Sequence, residues 1–187
     1  MGMRVISGTA RGRKLKEPSG FDIRPTSDMV KESVFNIIQF DIEGRRVLDL
    51  FAGTGQLGIE AQSRGAKSVV FVDSKPDAVK LIRGNLLRCG FSDEAQIYTG
   101  DAIKFLEGPA SGKFNIIFID PPYDSSLASE TIQKIIKFDK LDTNGIIICE
   151  MSAGSPSPAV TRPYLLQKEY TYGSVKIARY TRENGAD

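Results

Sequence analysis

Five short apolar runs alternate with amphipathic stretches along most of the chain, and this alternation constrains the fold most strongly. Each run is β-branched and apolar on both faces, which is typical of strands in a sheet that is covered on both sides. The pattern predicts an α/β domain with a doubly wound, mostly parallel sheet and right-handed crossovers. The predicted strands are residues 46–51, 68–73, 95–98, 114–120 and 145–150, and the clearest helices are 76–89 and 125–138.

The N-terminal segment follows a different pattern. Residues 4–16 predict a small basic strand pair with a Gly-rich turn. A helix follows, for which Thr26 or Ser27 is a plausible N-cap. We treat residues 1–40 as an N-terminal extension of the main domain. The apolar face of the predicted helix consists of Val30, Val34, Ile37 and Ile38.

The C-terminal part predicts a loop and a hairpin. Residues 152–163 are rich in Pro, Ser and Gly and read as a loop. Residues 164–170 and 174–181, joined around Gly173, predict an antiparallel hairpin that closes the sheet. The main domain therefore covers residues 41–187.

Composition excludes several classes of function. The chain has no histidine, so histidine-dependent nucleophile systems and histidine-ligated zinc sites are excluded, and we expect no metal. No apolar run approaches the roughly 18 residues of a membrane span, and the N-terminus lacks the apolar stretch of a secretory signal. Cys89 and Cys149 suit a reduced compartment and are expected in or near the core. We expect a cytoplasmic protein without a membrane partner.

A glycine-rich turn follows the first strand. Gly53, Gly55 and Gly58 fit the spacing G-x-G-x-x-G, which lets the backbone approach a ligand and directs helix N–H groups toward it. Asp73 ends the next strand, where a carboxylate can bind ribose hydroxyls. These features suit NAD and S-adenosylmethionine equally. Asp49 shifts the balance, because an acid before the loop repels a pyrophosphate and suits the cationic amino acid end of S-adenosylmethionine.

Two further acids have alternative interpretations. Asp101 follows the third strand and either accepts a hydrogen bond from an adenine amine or caps the helix that begins before Ile103. Glu60 lies on the helix after the glycine turn. We expect a buried, hydrogen-bonded carboxylate that supports the glycine turn, and not a catalytic base.

The fourth strand ends in Asp120-Pro121-Pro122-Tyr123, the most specific motif of the chain. The ends of parallel strands meet at the switch-point crevice of such a sheet, so this motif should lie beside the glycine turn. The prolines stiffen the turn and remove N–H donors, which leaves the Asp120 carboxylate and the Pro121 carbonyl as acceptors for an amine. They hold the amine more strongly as it becomes cationic. Tyr123 offers a stacking face, so the motif predicts methyl transfer to the exocyclic amine of a base.

The first twenty residues are strongly basic, although the net charge of the whole chain is only +2. This segment is either an ordinary solvated surface or an arm that contacts phosphates. Its cations are Arg4, Arg11, Arg13, Lys14 and Lys16, opposed by Glu17 alone.

Taken together, these motifs resemble a known family over about residues 4–182. The chain is similar to the bacterial 16S rRNA guanine-N2 methyltransferases of the guanine-966 type. The glycine turn and the Asp-Pro-Pro-Tyr motif are shared with many amino-methyltransferases, and the N-terminal strings are more particular to this family. The matching segments are 4–8, 11–15, 24–26, 30–36, 49–55, 58–61, 64–66, 120–123 and 172–173.

The resemblance implies a Rossmann-like class I methyltransferase fold with a seven-stranded sheet. It implies that a guanine amine is presented to Asp120, Pro121, Pro122 and Tyr123, and that the substrate is 16S rRNA or a 30S assembly particle. Asp73 stands where Glu is more usual, and either acid can bind ribose hydroxyls. The implied cofactor residues are Asp49, Phe51, Gly53, Gly55, Asp73, Asp101 and Ala102, and the implied RNA contacts are Arg4, Arg11, Arg13 and Lys14.

Arg24 and Thr26 have two readings of equal weight. By resemblance they help to close the cofactor pocket. Alternatively, the Arg24-Pro25-Thr26 string only initiates the first helix. The sequence does not define the oligomeric state, and a monomer is the expectation.

Three other functions compete with this interpretation. A DNA adenine-N6 or cytosine-N4 methyltransferase would use the same acceptor motif, but it usually needs an additional recognition domain, for which the chain has little room. An NAD-dependent oxidoreductase would need a second half-domain, and Asp49 is unfavourable for it. A silent RNA-binding module would have no use for the intact acceptor motif.

Overall fold

A computed structural model of the protein describes residues 2–18, 28–91, 95–108, 112–122 and 125–184. Within these residues, helices and strands alternate as the sequence predicts. In chain order the elements are α1 (Asp28–Ile37), β1 (Arg46–Leu50), α2 (Gln56–Ser63), β2 (Ser68–Asp73), α3 (Pro76–Cys89), β3 (Ala95–Thr99), α4 (Ala102–Glu107), β4 (Phe114–Ile119), α5 (Ser125–Lys137), β5 (Leu141–Ser152), β6 (Tyr164–Tyr172) and β7 (Val175–Arg182).

The seven strands form one sheet in the order β3-β2-β1-β4-β5-β7-β6. Neighbours among the first five strands pair in parallel, whereas β7 is antiparallel to both β5 and β6. The expected seven-stranded, mostly parallel sheet with a C-terminal antiparallel hairpin is therefore confirmed. Leu50, the last residue of β1, pairs with Val72 of β2 and with Ile119 of β4. The chain leaves β1 toward β2 and later returns to pair β4 on its other side, which makes the end of β1 the switch point.

Side chains of the central strands alternate between two apolar clusters, one on each face of the sheet. On one face, Val47 and Phe71 pack with residues of α1, α2, α3 and the N-terminal segment. On the other face, Leu48 and Ile117 pack with residues of α4 and α5. Both faces of the sheet are thus covered, which explains why its strands are apolar on both sides.

The N-terminal segment folds as a hairpin, which we define as residues 3–17, with one bridge between Arg4 and Lys14. The N–H of Val5 donates to the carbonyl of Arg13 at 2.9 Å, so the predicted strand pair exists but is very short. Its turn passes close to α2. At Gly8, which has a φ of 81°, an added Cβ would lie 1.7 Å from the carbonyl oxygen of Ser63. Only glycine fits there.

The hairpin covers the outer side of α2. Every residue of α2 is buried, because the sheet lies on one side of this helix and the hairpin on the other. The apolar hairpin residues Met3, Val5, Ala10 and Leu15 belong to the same cluster as β1 and β2. The hairpin therefore shares the core of the sheet.

The structure corrects details of the predicted first helix. Val30, Val34 and Ile38 are buried as predicted, but Ile37 is only partly buried. Lys31 and Phe35 are buried as well, and the apolar pattern did not indicate Lys31. The predicted caps Thr26 and Ser27 lie outside the described residues.

Two C-terminal details also emerge. Strand β5 begins at Leu141 and not at residue 145, because Leu141 pairs with Phe114 before a register shift in β4. The predicted loop is confirmed, and it packs against the apolar cluster that contains α4 and α5: Val160 contacts this cluster, and the hydroxyl of the buried Tyr180 donates to the carbonyl of Pro158 at 3.0 Å. Both cysteines are buried, as expected.

Within the described residues, no helix combines the length and the apolar character needed to cross a membrane.

Candidate active site

Four acidic residues lie at the carboxyl ends of four neighbouring parallel strands. Asp101 follows β3, Asp73 ends β2, Asp49 is the penultimate residue of β1 and Asp120 follows β4. Because the strand order is β3-β2-β1-β4, these residues form one row along the same edge of the sheet. This edge is where ligands bind in doubly wound sheets. The topology thus brings the four predicted acids to one edge of the sheet, and their joint role in one site stays a prediction.

The glycine turn between β1 and α2 is held in an unusual backbone conformation. Phe51, Gly53 and Gly55 have φ angles of 61°, 53° and 76°. Such angles suit glycine but are strained for phenylalanine, and strain of this kind is concentrated at functional sites. The N–H of Ala52 donates to the carbonyl of Val72 at 3.0 Å, which ties the turn to β2.

Asp49 links β1 to the helix that follows the turn. Its Oδ2 accepts a hydrogen bond from the N–H of Gly58 at 2.9 Å, and its side chain is buried. Burial raises the pKa of Asp49 well above its ordinary value, and the negative charges of Asp120 and Asp73 raise the pKa further. Among the described residues, the hydrogen bond from Gly58 opposes this rise. The site therefore concentrates negative charge around a buried carboxyl group.

Asp73 fixes the turn from the end of β2. Its Oδ2 accepts from the N–H of Gly53 at 2.8 Å, and its Oδ1 accepts from the N–H of Lys75 at 2.9 Å. The carboxylate is thus oriented before any ligand binds. A group held in this way loses little freedom on binding, which favours affinity.

Asp101 caps α4. Its Oδ1 accepts a hydrogen bond from the N–H of Lys104 at 2.9 Å, and Ala102, the first residue of the helix, is buried. The capping interpretation of Asp101 is confirmed. Its contact with an adenine amine stays a prediction.

The acceptor motif begins where β4 ends. Asp120 is half-buried, Pro121 is buried and Pro122 is exposed. Because Ile119 pairs with Leu50, the motif starts next to the glycine turn, as the sequence predicts. The predicted site residues Tyr123, Arg24 and Thr26 lie outside the described residues.

The chemistry of this edge fits S-adenosylmethionine. The carboxyl of Asp49 is buried and lies near the negative charges of Asp73 and Asp120, so it suits a cationic ligand. The side-chain oxygen of Gln56, the first residue of α2, is buried and has no hydrogen-bond partner within the described part of the chain. A ligand with N–H donors could satisfy this oxygen. A pyrophosphate would instead meet a row of acids, which disfavours a dinucleotide.

The predicted RNA contacts lie on the outer side of the hairpin. Arg4, Arg11, Arg13 and Lys14 are all exposed, whereas the apolar residues of the hairpin face the core. Arg4 has a partner, since its Nε lies 3.9 Å from Oδ2 of Asp28. The arrangement presents cations on a surface that the core holds rigidly.

Glu60 supports the hairpin, and the prediction that it supports the glycine turn is wrong. Its Oε2 accepts from the N–H of Ile6 at 2.7 Å, and its Oε1 accepts from the N–H of Ser7 at 2.9 Å. Nε of Arg64 donates to Oε1 at 2.8 Å. The carboxylate is buried as expected, but its partners belong to the hairpin and to its own helix. The sequence could not reveal which backbone packs on the outer side of α2.

Asn85 and Lys31 are among the buried polar residues that the sequence analysis did not identify. Asn85 lies on the buried face of α3 between Ile82 and Cys89, and a polar residue in an apolar stripe is a usable signal. Lys31 donates from Nζ to the carbonyl of Arg4 at 2.6 Å. Burial lowers the pKa of Lys31, an effect that the nearby negative charges oppose. Nothing in the sequence pattern distinguishes Lys31 from a surface lysine.

Known proteins show the same fold and related sequences. Ribosomal RNA small subunit methyltransferase D of Haemophilus influenzae is 35% identical over 95% of this chain and 93% of its own length. YlbH of Bacillus subtilis, named as a candidate rRNA methyltransferase, is 38% identical over 96% of this chain and 99% of its own length. The solved structure of yhhF, a candidate methyltransferase of Escherichia coli, superimposes on this chain with a TM-score of 0.86 and 31% sequence identity. The match covers 97% of this chain and 98% of the yhhF chain.

A family model described as Conserved hypothetical protein 95 matches residues 3–181, which is nearly the whole chain. With this match and the similarities over both full lengths, the chain belongs to the Conserved hypothetical protein 95 family, the family of ribosomal RNA small subunit methyltransferase D.

Proposed function

We propose that this protein transfers a methyl group from S-adenosylmethionine to the exocyclic N2 amine of a guanine in small-subunit (16S) rRNA. The observation that carries the proposal is the position of Asp120 and Pro121, directly after β4 and beside the glycine turn. An acceptor motif whose two prolines lack backbone N–H donors suits an amine at that point. The relatives named as small-subunit rRNA methyltransferases support the choice of nucleic acid.

The cofactor occupies the edge formed by the glycine turn and the three acids of β1, β2 and β3. S-adenosylmethionine, when bound, supplies a methyl group on a positively charged sulfur. With the cofactor bound, Asp49 would balance its positive charge, Asp73 would bind its ribose hydroxyls, and Asp101 with Ala102 would face its adenine. Phe51, Gly53 and Gly55 shape the turn, and Arg24 and Thr26 close the pocket.

The acceptor motif holds the reacting amine. The Asp120 carboxylate and the Pro121 carbonyl accept hydrogen bonds from the two N–H groups of the amine, which leaves its lone pair free to accept the methyl group. As the nitrogen takes the methyl group from sulfur it becomes cationic, and both acceptors interact with it more strongly than in the ground state. The nitrogen then gives one proton to the Asp120 carboxylate, which leaves a neutral methylated amine. Alignment of donor and acceptor can lower such a barrier by up to about 7–11 kcal/mol. Tyr123 stacks on the guanine.

The hairpin binds the RNA. Arg4, Arg11, Arg13 and Lys14 contact phosphates, which fix the position of the RNA without reading its sequence. We assign residues 1–40 to this RNA-facing extension and residues 41–187 to the methyltransferase domain. The substrate is 16S rRNA or a 30S assembly particle, and the protein acts in the cytoplasm as a monomer.

The function can be tested by mapping methylated nucleosides in rRNA by mass spectrometry. Cells that lack this protein should lose one N2-methylguanosine of 16S rRNA, and return of the wild-type gene should restore it. Return of an Asp120→Ala variant should not. Unchanged methylation of 16S rRNA in the deletion cells, together with the loss of a methyl group from DNA, would contradict the proposal.

A binding measurement separates the cofactor from a dinucleotide. S-adenosylhomocysteine should raise the melting temperature of the protein, because a ligand that binds only the folded state stabilises it. NADH at the same concentration should not change the melting temperature. Stabilisation by NADH alone would contradict the cofactor assignment.

A further inference from the structure

Asn85 joins the hairpin to the glycine turn through one buried carboxamide. Its Oδ1 accepts from the N–H of Lys16 at 2.7 Å, and its Nδ2 donates to the carbonyl of Lys16 at 3.2 Å. The same Nδ2 donates to the carbonyl of Thr54, between Gly53 and Gly55, at 3.0 Å. Asn85 is fully buried, so all three bonds form away from water. One side chain therefore holds the base of the hairpin and the centre of the turn.

A second contact reinforces this connection. The hydroxyl of Thr54 lies 3.4 Å from Sδ of Met3, which is at the other end of the hairpin base. The strand ends Met3 and Leu15 are themselves paired, since the N–H of Leu15 donates to the carbonyl of Met3 at 2.9 Å. A displacement of Thr54 therefore acts on both strands of the hairpin.

Two other anchors of the hairpin, Ser63 and Glu60, act at another place. Ser63 donates from its hydroxyl to the carbonyl of Ser7 at 2.5 Å and accepts from the N–H of Ala10 at 2.9 Å. Glu60 holds the N–H groups of Ile6 and Ser7. These bonds attach the turn end of the hairpin to α2 and do not touch the glycine turn. Asn85 differs because it contacts both the hairpin base and the turn.

We propose that Asn85 is a positioning residue that couples the cofactor site to the hairpin, so that an occupied cofactor site raises the affinity of the hairpin for RNA. This inference rests on the proposed function, because it takes the turn as the cofactor site and the hairpin as the RNA-binding arm. A ligand that immobilises Thr54 also immobilises Asn85 and Lys16. RNA that binds afterwards has less conformational freedom to remove from the hairpin, which produces positive cooperativity without a change of shape.

Thermodynamic linkage gives the first test, on the wild-type protein. The affinity for 16S rRNA should rise at least about fivefold when S-adenosylhomocysteine saturates the protein, and RNA should raise the affinity for S-adenosylhomocysteine by the same factor. A wild-type protein that binds and methylates rRNA, but whose two affinities are independent, would overturn the coupling and leave the function intact.

Two variants locate the coupling. Asn85→Ala should reduce the linkage factor to less than about twofold, since it removes every bond between Asn85 and the two segments. Ser63→Ala is the matched control, because it removes hydrogen bonds to the hairpin but none to the turn. It should lower RNA affinity with and without S-adenosylhomocysteine equally, so that the factor is kept. An Asn85→Ala protein with the wild-type factor would overturn the proposal.

Hydrogen exchange provides a readout that requires no RNA. S-adenosylhomocysteine alone should slow exchange of the Lys16 amide, which is bonded to Asn85, at least about fivefold in the wild type and not in Asn85→Ala. Unchanged exchange at Lys16 in a wild-type protein that binds the ligand would overturn the coupling, even if Asn85→Ala cannot be purified. If the protein did not methylate rRNA at all, that result would concern the proposed function, and the exchange of Lys16 would still decide the role of Asn85.

Discussion

The backbone N–H of Gly58 and the buried carboxyl of Asp49 form a hydrogen bond of 2.9 Å that joins β1 to the first turn of α2. Only glycine fits at position 58, since an added Cβ would lie 2.2 Å from the ring of Phe71. This close packing presses the start of α2 against the sheet beside Asp49. The carboxyl is therefore buried beside the N–H of Gly58, in a row that also contains Asp73 and Asp120.

The affinity for S-adenosylmethionine should depend on pH through Asp49. Burial raises the pKa of this carboxyl in the free protein, and Asp120 and Asp73 raise the pKa further. A bound cation favours the ionised form and lowers the pKa, so binding releases a proton. Affinity should therefore increase as pH rises through the interval between the pKa of the bound protein and the higher pKa of the free protein. Calorimetry in buffers with different heats of ionisation measures the released proton.

The matched variant for this experiment is Asp49→Asn, which keeps an oxygen that can accept from Gly58. It should bind S-adenosylmethionine more weakly at neutral pH and should release no proton on binding. Equal proton release by the variant and the wild type would assign the pH dependence to another group.

Because of the Asp49 carboxyl, the free energy of unfolding of the protein without cofactor should fall as pH rises. A carboxyl whose folded pKa lies above its unfolded value of 3.8 holds its proton more tightly in the folded state. The free energy of unfolding then falls as pH increases from the unfolded pKa to the folded pKa. At neutral pH, Asp49→Asn should be more stable than the wild type without cofactor. Urea unfolding of both proteins at several pH values measures the difference, and a less stable variant at every pH would contradict the prediction.

Loss of the Glu60 charge should destabilise the whole protein. In Glu60→Gln, one of the N–H groups of Ile6 and Ser7 faces an amide donor in place of an oxygen, and Arg64 loses its charged partner. Removal of one charged partner of a buried ion pair lowers the free energy of unfolding by about 3 kcal/mol or more. For a chain of this length the melting temperature should fall by roughly 6–12 °C.

The control for Glu60 is an ion pair on the surface. Glu107→Gln removes the exposed pair between Glu107 and Lys134, and the melting temperature should hardly change because solvent screens such pairs. If the Glu60→Gln protein had the same melting temperature as the Glu107→Gln protein, the buried contacts of Glu60 would not be stabilising.

The sheet and its acidic edge could be predicted from sequence because the signals are local. Strand residues such as Val47 and Phe71 are apolar whichever partner they pack against, and Asp73 and Asp120 occur at the ends of such runs. Parallel order then places these acids at one edge without knowledge of any side-chain contact. The extension of β5 to Leu141 escaped prediction because it depends on pairing with Phe114, which is distant in the chain.

The attachment of the hairpin could not be predicted for a related reason. Glu60 and Asn85 bind backbone atoms of Ile6, Ser7 and Lys16, and any sequence presents the same backbone groups. Polarity at a buried helical position shows that some partner exists. It does not identify the segment that supplies the partner. The local pattern therefore defined the layers of the domain but not how its N-terminal layer is held.

Replacement of the hairpin cations should weaken RNA binding in a salt-dependent way. Arg11, Arg13 and Lys14 are exposed, so their replacement by Ala leaves the core intact. If each contacts one phosphate, the slope of log affinity against log salt should decrease in magnitude by about 2–3. Affinity for S-adenosylhomocysteine should be unchanged. Filter binding over a salt series measures both the affinity and the slope.

A control triple variant keeps the change in charge but moves it elsewhere. Lys67, Lys137 and Lys168 are exposed on other parts of the described surface, and their replacement by Ala should leave the slope nearly unchanged. Equal slopes for the two triple variants would mean that the hairpin has no special contact with phosphates.

Asp120→Asn should slow methyl transfer more than it weakens binding. The amide retains one acceptor oxygen but loses the negative charge that faces a nitrogen as it becomes cationic. Loss of one such electrostatic group typically lowers kcat about 10²–10³-fold. Because the charge acts mainly in the transition state, the affinity for RNA should change little. Single-turnover methylation with saturating S-adenosylmethionine measures the chemical step, and Glu130→Gln, an exposed acid on α5, is the control. A slow Asp120→Asn variant with proportionately weaker RNA binding would indicate that Asp120 holds the substrate without favouring its transition state.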